Sequence, residues 1–192
     1  MKIYEIEAGE KQKFEPSNSD ENRTFQKFLS DCSDSIAAMQ SANKFIFRGT
    51  SSFPSEIFIG KSRDNRNSLS YVREESKIID FQFEQDGFDA RRTNSIFCSG
   101  SGPEAGSYGK LYMIFPINGF KFTWSPMVVD FATNASINKH LSHFHPLSYG
   151  YTNKNLVAAI KSKNEIMING SYYAFSFKEY WKPLSEYFGF KK

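Results

Sequence analysis

The chain has 192 residues, 40% of them hydrophobic and 17% aromatic, with 20 Phe and 10 Tyr. That length and content fit one domain with a sizeable core and exclude a disordered chain. Twenty-four Lys and Arg against 21 Asp and Glu leave a net charge of +3, too mild to announce nucleic acid but compatible with anionic ligands.

The N-terminal segment Met1–Glu15 is charged throughout and carries no apolar signal core. No apolar run approaches the roughly 18 residues of a membrane span. A cytoplasmic chain without membrane segments is therefore expected. A short strand is predicted at Lys2–Glu7, followed by a polar stretch that ends in the capping residues Ser17-Asn18-Ser19-Asp20. From Asp20 to about Ser41, Phe25, Phe28, Leu29, Cys32, Ile36 and Met39 recur at spacings of three and four, one face of an amphipathic helix. Cys32 and Cys98 stand far apart with no ligand-pair spacing, which fits a reduced protein.

Lys44–Arg48 reads as a strand, and Gly49–Arg73 as a long polar segment. A helix is predicted over Glu74–Gln85, closed by Gly87. Asn94–Cys98 is the next strand, with a helical turn at Pro103–Tyr108. Strands at Lys110–Pro116 and Phe120–Trp124 are joined through Asn118-Gly119, and Asn169-Gly170 joins Glu165–Ile168 to Ser171–Phe177. Asn-Gly between apolar runs predicts a hairpin at both places. Short helices are expected at Phe131–Leu141 and Asn153–Lys161. The order predicts an α+β single domain over residues 1–192, with a mostly antiparallel, split β core and an N-terminal amphipathic helix.

Three of these strands carry polar groups at one end. Arg48 closes the first beside Gly49, a guanidinium and a side-chain-free position suited to gripping phosphate. Ser99 and Ser101 lie in a tight Ser-Gly-Ser turn after the second. Glu165 opens the third, where a fixed carboxylate can stabilise a developing oxocarbenium charge. Each residue also has a plainer role available: a strand cap, a turn, an exposed strand-end acid.

Together, Phe45-Ile46-Phe47-Arg48-Gly49, Cys98-Ser99-Gly100-Ser101 and Glu165-Ile166-Met167-Ile168 resemble the Arg, Ser-Thr-Ser, Glu pattern of the mono-ADP-ribosyltransferases, especially small phage-encoded and toxin-like members. The resemblance implies an NAD-consuming glycosyltransferase fold in which Arg48 binds the NAD phosphate and Ser99 supports the Glu. Glu165 then stabilises the ribosyl cation. NAD would be the substrate, bound by Arg48, Gly49, Ser99, Ser101 and Tyr108. The acceptor would be a protein or nucleic acid, and a phage or bacterial effector acting in the host cytoplasm is implied. A monomer is expected. Two positions depart from the pattern: Gly100 stands where the family has Thr, and Lys163 stands two before the Glu, where arginine-modifying members have Glu. The same Phe-Arg-Gly also resembles the domains named after that tripeptide.

Other readings compete. A catalytically degenerate protein of the same fold could block a host partner. His140, His143 and His145, with the more distant Asp130, could hold a metal and support a hydrolase, or face an acceptor. Arg91 and Arg92 read as solvated side chains or a second anion contact. Tyr149 and Tyr151, flanking Gly150, could stack on nicotinamide from a loop. Lys61, Arg63, Arg66 and Arg73 form a basic stretch interrupted by acids, which favours a solvated surface over nucleic acid.

Overall fold

A computed structural model describes residues 19–51, 55–64, 73–134, 137 and 144–190. The predicted strand at Lys2–Glu7 lies outside them. Among the described residues, seven strands form one antiparallel sheet: β1 (Ile46–Thr50), β2 (Ile57–Lys61), β3 (Ile96–Ser99), β4 (Lys110–Pro116), β5 (Lys121–Trp124), β6 (Glu165–Asn169) and β7 (Ser171–Ser176), in the order β2-β7-β4-β1-β3-β6-β5. The helices are α1 (Ser19–Asp31), α2 (Ser33–Ala42), α3 (Arg73–Gln85), α4 (Gly102–Gly106), α5 (Leu156–Lys161) and α6 (Phe177–Phe188), with a 3-10 turn at Pro146–Tyr149. None of the described helices is long and apolar enough to cross a membrane.

The described strands form one continuous sheet, but its pairing is uneven. β1 pairs with β4 at five positions, but with β3 at one, Phe47 opposite Ser99. The sheet thus consists of two blocks, β2-β7-β4-β1 and β3-β6-β5, joined by a narrow seam. Alternating side chains commit the second block to two cores. Ile96, Cys98, Ile166 and Ile168 pack with residues of α1, α2, α5 and α6, while Met167, with Phe97 against it, packs with Ile79 and Phe83 of α3. Arg48, expected to close its strand, lies in the middle of β1 because the strand runs on to Thr50; Arg48 and Ser99 stand on the two strands that meet at the seam, and Glu165 one strand beyond.

The sequence pattern misplaces several elements. The predicted Asp20–Ser41 helix is two helices, broken at Cys32. The break is docked by a distant residue: Asn118 donates from Nδ2 to Ser30 O and Ser33 Oγ, accepts from Asp34 N, and gives its own N–H to Asp31 O. These bonds satisfy backbone groups that a continuous helix would have paired internally.

Neither Asn-Gly forms a hairpin. β4 pairs with β1 and β7, whereas β5 pairs with β6, and β6 does not pair with β7. Gly119 and Gly170 do take positive φ, as the signal requires. Each junction nevertheless carries the chain from one block into the other. The two junctions lie side by side, with Ile117 N donating to Ser171 O and Phe120 packed 3.2 Å from the Cβ position of Gly170. Turn chemistry fixed the bend, but the strand pairing was decided by which hydrophobic faces met.

β2 occupies the segment read as polar, as an edge strand on β7. α6 covers a stretch to which the pattern assigns no helix. By contrast β4 matches its predicted span, α3 ends before Gly87 as expected, and α5 is capped by Asn155, whose side chain accepts from Ala158 N. Of the predicted Phe131–Leu141 helix, 131–133 form a turn and most of the rest lies outside the described residues.

Candidate functional site

The strands bearing Arg48, Ser99 and Glu165 come from positions more than a hundred residues apart at the extremes, and they are consecutive in the sheet, β1-β3-β6. Ser99 sits directly opposite Glu165 in the β3–β6 ladder and opposite Phe47 on β1. Arg48 crosses the seam: its Nη1 donates to Phe97 O on β3 at 3.0 Å. Its buried Nε has no hydrogen-bond partner among the described residues. Burial raises the Tyr172 phenol, and the charges of Arg48 and Arg63 oppose that rise.

Gly49 and Gly100 have a structural reason as strong as any ligand. A Cβ on Gly49 would sit 1.8 Å from Ala105 O, and one on Gly100 would sit 1.7 Å from Ile160 O. The close approach at Gly49 is therefore to α4 rather than to an open cradle, and at Gly100 to the last turn of α5. That packing leaves no room for a side chain at position 100.

Ser99 is buried and doubly bonded. Its Oγ donates to Lys163 O at 2.8 Å and accepts from Ser101 N at 3.0 Å. It thus braces the backbone two residues before Glu165, and also closes its own turn. Ser101 is the N-cap of α4 by position, with no side-chain capping bond. The Lys163 side chain is exposed, while Asn164 turns inward and donates from Nδ2 to Ser125 O at 2.7 Å. The segment between α5 and β6 is held on both sides.

Glu165 is 15% exposed and ion-pairs with Arg92, Nη1 to Oε1 at 2.9 Å. Arg92 is 5% exposed, and its guanidinium lies over two rings, 4.5 Å from the centroid of Phe97 and 4.3 Å from that of Phe131. Arg91 pairs with Glu84 at 2.7 Å. The expectation of solvated arginines is thus corrected for both: Arg91 pairs with Glu84 of the helix just before it, and Arg92 with Glu165 from a distant strand. No local pattern announces Arg92, because nothing near it in the chain reveals that two aromatic rings and a Glu converge on it.

Tyr108 stands at the mouth of this region, 64% exposed, with its hydroxyl donating to Asp130 Oδ2 at 2.7 Å. The Asp130 hydrogen bond, then desolvation, then the charges of Asp130, Glu165 and Glu104 push its phenol up to about 12. Asp130 also accepts from Ala132 N at 2.7 Å, which organises the turn that follows it. His140 and His143 lie outside the described residues, and His145 is exposed ahead of the 3-10 turn. Among the described residues no group of three or more His, Cys, Asp or Glu could hold a metal.

Tyr151 is buried against Phe83, Phe131 and Phe144, and Tyr149 packs on Phe144 with centroids 5.4 Å apart. Both belong to the second core, which corrects the idea of a mobile stacking loop. Lys61, the last residue of β2, and Arg63 just after it are exposed, and Arg66 lies outside the described residues. Cys32 and Cys98 are both buried and neither forms a disulfide, and burial drives the Cys32 thiol up to about 12. No protein-family model matches this chain, and no curated protein or solved structure shows significant similarity to it.

Proposed function

We propose that the chain is an NAD-dependent mono-ADP-ribosyltransferase. In this reading Arg48 holds the diphosphate of NAD at the seam between the two blocks. The bond between nicotinamide and the ribose breaks, nicotinamide leaves with the bonding electrons, and Glu165 stabilises the oxocarbenium-like ribose. A nucleophile on a macromolecular acceptor then forms the new bond and releases its proton. Ser99 supports Glu165 through the Lys163 backbone. The reading rests on one observation above the others: Arg48, Ser99 and Glu165, far apart in sequence, lie on adjacent strands, with Ser99 opposite Glu165 in the ladder.

The test is transfer of label from isotopically labelled NAD in a bacterial lysate, comparing wild type with Glu165→Ala. Label on an acceptor with wild type alone is the expected result. The substitution should cost about 100- to 1,000-fold in rate, as when one preorganised electrostatic group is removed. Free labelled ADP-ribose from wild type would indicate hydrolysis in place of transfer, and no consumption of NAD would defeat the reading.

One observation favours a second reading, a degenerate site used for binding. Glu165 is engaged by Arg92, and the Ser99 hydroxyl donates to a backbone carbonyl rather than to the carboxylate. That reading expects an inert wild type and a partner interaction that survives Glu165→Ala.

A further inference from the structure

Glu165 is the first residue of β6, where its backbone N–H donates to Val129 O at 2.7 Å. A Glu side chain at a strand end has several rotamers, and freezing it costs on the order of 1–2 kcal/mol. A carboxylate meant to meet a transient charge needs that freezing done beforehand.

Arg92 is built to do it. Its planar guanidinium lies against the Phe97 and Phe131 rings, so it cannot turn freely without losing ring contact. Its loop is clasped to α3, where both oxygens of Asp80 accept from Thr93 N at 3.2 Å and one also accepts from Thr93 Oγ1. Arg91 is anchored by Glu84, and Asn94 Oδ1 accepts from Arg91 N at 2.7 Å. Asn94 O in turn accepts from Asn169 Nδ2 at 2.7 Å, tying the loop to the far end of the strand that Glu165 opens. As a stabilising device a buried ion pair is poor, since packed hydrophobic residues often do as well or better. As a device for aiming a carboxylate it is apt.

We infer that Arg92 is a positioning residue: held by the Phe97 and Phe131 rings and by the α3 clasp, it aims the Glu165 carboxylate at the reacting ribose. The inference rests on the NAD-cleaving reading of the site. Arg92 also brings a positive charge close to a site that must stabilise a cation, so its benefit has to come from geometry. That makes the sign of its removal diagnostic. Among the described residues, Arg92 from the loop after α3 pairs with Glu165 and Ser99 of β3 stands opposite it, and the charge of Glu165 also reaches Tyr108, whose hydroxyl donates to Asp130.

The experiment measures kcat, KM and the pH profile of NAD cleavage for the full chain and for Arg92→Lys, Arg92→Met, Phe131→Leu, Glu165→Gln and the Arg92→Met/Glu165→Gln double variant. Arg92→Met and Arg92→Lys should both lower kcat, Arg92→Met by about 100-fold, with KM for NAD little changed. The acid limb should move to higher pH in Arg92→Met, where Glu165 loses its neighbouring cation, and stay in place in Arg92→Lys. The double variant should be no slower than Glu165→Gln alone, because Arg92 acts through Glu165. If Arg92→Met does not fold, Phe131→Leu decides, since it keeps the ion pair and removes one ring; it should lower kcat. An active wild type whose kcat is unchanged or raised in the folded variants overturns the role of Arg92 alone. So does a loss confined to KM, or an additive loss in the double variant. A wild type inert toward NAD overturns the catalytic reading, and the role of Arg92 with it.

Discussion

Replacing Gly100 by Ala tests whether the turn after β3 is shaped by packing against α5. The added Cβ would lie 1.7 Å from Ile160 O, 2.5 Å from Ile160 C and 2.9 Å from Ser162 O. All three are backbone atoms, so no flexible side chain can swing away. Ordinary contact begins at 3.4 Å, and the last turn of α5 must retreat by about 1.7 Å or β3 must bend. Overpacking of this kind costs about 1–3 kcal/mol, and disturbing the Ser99–Lys163 bond adds about 1 kcal/mol. For a chain of this length each kcal/mol is worth roughly 2–4 °C, so the melting temperature should fall by about 4–16 °C. Thr at this position, the residue of the resembling family, should be worse than Ala. Gly106→Ala is the control, since nothing lies within 4 Å of its Cβ position, and it should leave stability unchanged or raise it. Thermal unfolding followed by circular dichroism reads both. Equal melting temperatures for wild type and Gly100→Ala would refute the packing argument.

Two further outcomes follow from titrating groups. Burial raises Asp80 above its ordinary value of 3.8, against the hydrogen bonds of Thr93 and the charge of Arg91. The folded state therefore binds its proton more tightly than the unfolded chain does. The stabilisation this provides is full below 3.8 and is lost as pH rises through the elevated folded value. Urea midpoints of wild type relative to Asp80→Asn should accordingly decline between acid and neutral pH; a constant difference would contradict the assignment. Tyr108, held up to about 12, should contribute only about a tenth of its full tyrosinate absorbance at pH 11, as read from the difference between wild type and Tyr108→Phe. Asp130→Asn should bring its ionisation down toward 10, because the strongest cause of the elevation is then gone.

Local pattern in the sequence determined the elements whose cause lies within a few residues. The α1 face of Phe25, Phe28 and Leu29, the β4 run, and α3 stopping before Gly87 all follow from periodicity and backbone preference. So do the three strands that carry Arg48, Ser99 and Glu165, although their limits shift by one or two residues. The tertiary structure decided whatever depends on chain arriving from far away. Asn118 enters the break between α1 and α2 from 84 residues away, and the two Asn-Gly bends cross between blocks because β4 and β6 found better-matched neighbours. Arg92 differs in no local respect from its neighbour Arg91, yet one faces Glu84 at the surface of α3 and the other is buried under two rings against Glu165. A charged side chain is buried only where a partner and a packed wall offset its desolvation, and both are supplied here by residues that only the folded sheet brings together.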